Sequence, residues 1–256
     1  MAEQHPQTLV PAIRRYRVLG VSPIERACLV RPLRSVPRAL YPAPRTLYPV
    51  SVDQLYLSLW YPNFRLDALP AALEKVMEQF VAVGGSGRVS AATVYPISWN
   101  ESPAYQRVYR NESDDEEASP RAVIAAAMEN AHDDFAWEFE MIWELWVPEP
   151  GQAGLDTMWR QEPRIVRIIG FGPEFDEGAY ETNGHIRVDF GLDTPFLYEG
   201  LDLDDDAVMR VKQNVQRLVD FTQHVQKNCG ISTRLLWSES GESLARKLIE
   251  RLQQVN

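Results

Sequence analysis

The sequence predicts an α+β fold: a mixed or antiparallel sheet of about six strands, helices packed mainly on one face, and an extended N-terminal arm. Three observations predict it. Phe135 to Val147 (FAWEFEMIWELWV) alternates apolar and polar residues, the period of a strand with one buried face. Further strand-like runs at Pro163–Phe171 and His185–Phe190 follow it with no helix between, which is the mark of an antiparallel meander. Separate stretches carry apolar residues at helical spacing, as Val208, Val211, Val215, Leu218, Val219, Thr222 and Val225 do.

In chain order, the first fifty residues hold eight of the eighteen prolines, each removing a backbone donor and biasing its predecessor away from helix. They read as an arm, made adhesive by interleaved Val, Leu and Tyr. Leu55–Tyr61 alternates as a strand. Leu69, Leu73, Val76, Met77, Phe80 and Val83 share a helical stripe, with Asp67 placed to cap its start and Gly84-Gly85 to stop it. Val89–Trp99 reads as a second strand with Pro96 at an edge or bulge, and strand–helix–strand implies a right-handed crossover between a parallel pair. Ser119 caps, and Pro120 starts, a short alanine-rich helix to about Asn130. The acidic residues before a long helix at 206–228 suit its positive N-terminus, and Gly230 ends it. Ile231–Trp237 is a last strand, and Leu244, Leu248, Ile249 and Leu252 mark a terminal amphipathic helix. The expected domains are the arm, residues 1–50, and one acidic domain, residues 51–256. Its two strand–helix–strand runs suggest related lobes at 51–118 and 119–256.

Length and composition bound the function classes. The chain has 256 residues, 45% of them hydrophobic, enough for a sizeable core. No apolar run approaches the roughly 18 residues of a membrane span, and the start lacks the pattern of a secretory signal. Cys28 and Cys229 stand apart with no C-x-x-C spacing. The expectation is a cytoplasmic protein with no membrane contact. Its net charge of −10 hides an asymmetry: residues 1–50 carry eight arginines against Glu3 and Glu25, a balance of +6, so the remainder carries −16. An acidic body repels phosphate backbones, which leaves the arm as the one place a nucleic acid could bind.

Chemistry-bearing candidates are few. Glu138 and Glu140 sit about 7 Å apart on one strand face, where they could share a proton or a cation. Arg164, Arg167, His185, Arg187 and Asp189 come from the neighbouring strands, although Arg164 and Arg167 cannot share a face. Opposite charges on facing strands are also what a solvated sheet face shows without any chemistry. GFGPEFDEG is not a dinucleotide fingerprint, and no G-x-S-x-G, P-loop or H-E-x-x-H string occurs. No metal ligand set and no cofactor are expected.

The function these features favour is a non-catalytic interaction or assembly protein. Its partner would be another protein or a second copy, met by the arm through Arg14, Arg15, Arg17, Arg31, Arg34 and Arg38. The alternative is a hydrolase or metal-assisted enzyme using Glu138, Glu140, His185 and Arg187 on the sheet face. Deleting residues 1–48 is expected to abolish self-association or partner binding while the rest stays folded. Light scattering and circular dichroism check this, and unchanged assembly in a folded truncation refutes the arm's role.

Overall fold

A computed structural model describes residues 53–110, 116–149, 158–198 and 204–239. The arm, the predicted terminal helix and residues 111–115 lie outside them. The described elements are strands β1 (Gln54–Trp60), β2 (Ala91–Pro96), β3 (Tyr105–Val108), β4 (Phe135–Pro148), β5 (Trp159–Phe171), β6 (Ile186–Leu192) and β7 (Thr233–Ser238), with helices α1 (Leu69–Ala82), α2 (Pro120–Ala127), α3 (Ala179–Asn183), α4 (Thr194–Leu197) and α5 (Asp205–Asn228).

The strands form one sheet in the order β3-β2-β4-β5-β6-β1-β7, and every neighbouring pair is antiparallel. This is the α+β architecture expected, with one strand more. The addition is β3, four residues whose half-buried and exposed side chains carry no alternation to read. The expected parallel pairing of β1 with β2 does not form. The two strands point the same way, but β4, β5 and β6 lie between them. The meander supplies β4–β5–β6 as contiguous antiparallel neighbours and so occupies the places beside β1 and β2.

Period two decides the two faces. On β4 the odd residues from Trp137 to Leu145 are buried in the main core, while Glu138, Glu140 and Ile142 point to the opposite face. Leu55, Leu57 and Leu59 of β1 join the main core, as do Ile168 of β5 and Val188 of β6. Helix α1 closes that core with Leu69, Leu73, Val76, Met77 and Phe80, and α5 with Val211, Val215, Leu218, Phe221 and Val225. Trp143 lies at its centre, with the rings of Phe80, Phe190 and Phe221 at 5.2, 5.8 and 6.3 Å.

The opposite face has only a small core at one end, where Ala136, Ile169, Phe171, Phe175 and Ala179 pack with Tyr95, Trp99 and Tyr180. The segment 172–184, expected to be a plain loop, folds there into a 3-10 turn and α3. Gly172 allows the close approach: a Cβ would lie 2.3 Å from the Asp133 carbonyl oxygen.

Helix ends follow the sequence in part. Asp204 caps α5, its Oδ1 accepting the Ala207 N–H at 2.7 Å, and Gly230 follows the helix at φ 68°. Asp67 does not cap α1; it sits in a 3-10 turn with Ala68 at the cap position. Ser119 precedes α2 as expected, but its hydroxyl donates to the Glu116 carbonyl at 2.8 Å, so a turn takes the group a cap would use. The outer edge of β4 is satisfied residue by residue. Ser90 N–H donates to the Glu140 carbonyl at 2.7 Å and Ser86 N–H to that of Ile142 at 2.8 Å. Arg217 donates to the Glu144 carbonyl. Buried Asn214 of α5 accepts the Trp146 N–H and donates to the Trp146 carbonyl, both at 2.9 Å.

Trp143→Ala removes a fully buried indole from among three rings and is expected to cost about 3–5 kcal/mol. Urea unfolding of the two proteins checks this.

Candidate functional site

On the face without the long helices, the cross-strand register writes two rows. One runs Val108, Ala91, Glu140, Arg167, Asp189, Tyr56, Trp237 from β3 to β7; the other runs Gln106, Thr93, Glu138, Ile169, Arg187, Ser58, Leu235. Over them opens a cleft of about 810 Å³ whose lining includes Tyr95, Trp99, Glu138, Glu140, Arg167, Arg187 and Asp189. That volume falls within the range of small-ligand pockets.

Arg167 is the hub. Its Nε donates to Glu140 Oε1 at 3.2 Å and lies 3.8 Å from Glu138 Oε1, while a terminal nitrogen lies 4.0 Å from Asp189 Oδ2. Arg167 stays 39% exposed, so water weakens each pair to about 1 kcal/mol or less. One guanidinium thus serves three carboxylates. Asp189 has further support, accepting the Gly191 N–H at 2.8 Å. Glu138 has the poorest share: burial pushes its carboxyl above the usual range, and the nearby Arg167 opposes that shift without cancelling it.

Arg187 is held differently. Its guanidinium lies 5.2, 5.5 and 5.9 Å from the ring centroids of Tyr56, Phe171 and Trp99. Contacts of this kind contribute roughly 0.5–2 kcal/mol each. Its Nε is buried without a hydrogen-bond partner, and among the described residues no carboxylate comes within 4.0 Å of it. Burial lowers the pKa of this guanidinium, and Tyr56 and Asp189 oppose that.

Of the four residues proposed from sequence for the sheet face, the structure brings Glu138, Glu140 and Arg187 into one cleft. His185 is elsewhere. It lies at the β6 entrance, stacked on Phe64 at 4.0 Å and on Tyr180 at 5.5 Å, with Nδ1 accepting the Tyr61 N–H at 2.9 Å. Burial lowers its pKa to about 4, so the ring is neutral at pH 7. Arg164 pairs with Glu162 on the exposed end of β5, away from Arg167. The arm arginines 14, 15, 17, 31, 34 and 38 lie outside the described residues, as does Cys28. Cys229 is a buried free thiol whose pKa burial raises to about 11, so it is no ready nucleophile. Among the described residues, no group of three or more His, Cys, Asp or Glu side chains is placed to hold a metal ion.

Sequence reasoning missed Tyr56, Tyr95 and Trp99 as parts of the site. The signal was present for Tyr95, since Ala91, Thr93 and Tyr95 alternate with core residues Ala92 and Val94 on β2. Trp99 lies beyond the strand and reaches the cleft through the turn at Ile97, where φ is 61°.

No family model, curated protein or solved structure matches this chain. The cleft's own chemistry is what bears on function.

His185 titrates as a base whose folded pKa is depressed. Its contribution to stability is present above the ordinary value of 6.5 and is lost as pH falls through about 4. Between pH 7 and pH 4 the wild type is expected to lose about 1–2 kcal/mol more than His185→Asn, allowing for partial exposure. Urea unfolding at both pH values checks this.

Proposed function

We propose that this chain is a non-catalytic interaction protein that meets its partner with the open sheet face. The observation that carries this reading is the state of the charged groups in the cleft. Glu140, Arg167 and Asp189 are tied to one another, Arg187 is stacked among rings, and His185 is turned into an aromatic stack outside the cleft. A general base needs a free, titratable group within reach of a substrate proton. A recognition surface needs fixed charges and rigid aromatic walls, which this cleft has. Exposed Val108 and Ile165 add an apolar margin at the end away from Trp99. The helix-covered face is occupied by its own core, so among the described residues the open face is the sheet face left free to receive a partner.

One observation favours a second reading, a carboxylate hydrolase. Glu138 has its pKa raised by burial, as a general acid requires, and Asp189 lines the same cleft. Under that reading a bound substrate would be turned over and Glu138→Gln would stop turnover. Under the interaction reading the bound molecule is recovered unchanged.

The test is a selection of random displayed peptides against the full chain, followed by two cleft-filling variants. Val108→Trp and Ile165→Trp, both at exposed positions, are expected to lower binding of the selected peptides at least tenfold with unchanged melting temperature. Met209→Asp on α5 is expected to leave binding intact. Peptides that ignore both tryptophans but lose affinity with Met209→Asp would overturn the proposal.

A further inference from the structure

We propose that the partner presents an arginine side chain to the cleft, its guanidinium pairing with Glu138 beside Tyr95 while a peptide carbonyl of the partner accepts from Arg187. The inference rests on the reading of the open face as a recognition surface and names what that surface recognises.

The charge balance points to a guest of charge +1. Glu138, Glu140 and Asp189 face Arg167 and Arg187 in the cleft lining, so one negative charge is in excess. The excess is localised. Arg167 spends its hydrogen bond on Glu140, and Glu138, with its side chain only 15% exposed, has that guanidinium at 3.8 Å and no hydrogen bond among the described residues. A desolvated carboxylate without a donor is an incomplete ion pair, and a guest cation completes it. The balance of −16 over residues 51–256 makes the body as a whole attractive to cations.

The walls favour guanidinium over ammonium. Tyr95 stands beside Glu138, whose charge acts on its hydroxyl, and its ring meets Trp99 with centroids 5.0 Å apart. Arginine's flat, weakly hydrated group stacks on such rings and offers a carboxylate two parallel N–H groups, whereas lysine offers a strongly hydrated point charge. Arg187 supplies the complementary signal. With no carboxylate within 4.0 Å among the described residues and its Nε without a partner, it has a donor to give, and in a cleft already negative a neutral carbonyl is a better acceptor than an anion. A peptide bearing an arginine carries both groups on one chain.

Binding would also depend on pH. The charged and titratable groups facing Glu138 are Tyr95 from β2, Glu140 on β4, Arg167 from β5, and Arg187 and Asp189 from β6. A guest cation favours ionised Glu138, so affinity strengthens as pH rises above the ordinary carboxyl value of 4.5, and Glu138→Gln flattens that rise.

The experiment is calorimetric titration of the full chain with acetyl-Gly-Gly-Arg-Gly-Gly-amide and its citrulline and lysine counterparts. The arginine peptide is expected to bind at pH 7, the neutral citrulline isostere at least tenfold more weakly, and the lysine peptide more weakly than arginine. Glu138→Gln is expected to lose at least tenfold with an unchanged melting temperature, and Tyr95→Leu about threefold while remaining folded by circular dichroism. Absence of binding by the arginine peptide, equal binding by the citrulline peptide, or unchanged affinity in both variants overturns the inference. If the citrulline peptide binds equally and Val108→Trp still blocks it, the arginine fails while the recognition face stands. If the tryptophan variants change nothing for the selected peptides, the face itself is refuted.

Discussion

The alternation along β4 is the constraint on which the structure depends. Trp137, Phe139, Met141, Trp143 and Leu145 must leave water together, and a strand can bury them together only by sending its even residues the other way. A register slip by one residue would put two tryptophans in solvent and three glutamates under α1 and α5. The core therefore fixes the position of Glu138 and Glu140 more firmly than their own ion pairs could. The thirteen-pair ladder with β5 carries that decision to Arg167, and β6 carries it on to Arg187 and Asp189. The charged cleft is the reverse side of a hydrophobic choice.

What the sequence made legible follows from the same physics. Long periodic segments such as β4, α1 and α5 were readable because their burial is one-sided and repeated. Pairing was not, since β1 and β2 are joined by a helix whose pattern says nothing about how many strands it crosses. A helix rule drawn from local order predicted neighbours, whereas the meander of β4, β5 and β6 claimed the space between. Strand β3 was illegible for want of length, and the caps at Asp67 and Ser119 went astray because short polar side chains serve turns as readily as helix ends.

The site was legible by parity and illegible by position. Parity correctly separated Arg164 from Arg167, which the structure places in different surroundings. It also puts His185 in phase with Arg187, yet the sheet ends there, and Phe64 and Tyr180 close over the ring. Nothing in a single sequence marks that end. The aromatic walls were hidden for a related reason: Trp99 comes from a turn, where period two no longer assigns a face.

From the end of β2 onward, the outer margin of β4 carries backbone groups that no described strand covers, and it is still closed at Glu140, Ile142, Glu144 and Trp146 by single donors and acceptors from Ser90, Ser86, Arg217 and Asn214. The Asn214 amide offers one donor and one acceptor in the spacing of a peptide group, so a helix side chain occupies the site where a foreign strand would otherwise attach. A long tryptophan-rich strand with an open margin is a template for runaway β-assembly. Here the carbonyls of those four residues are already engaged, so an incoming strand would have to displace the chain's own donors to pair along that margin.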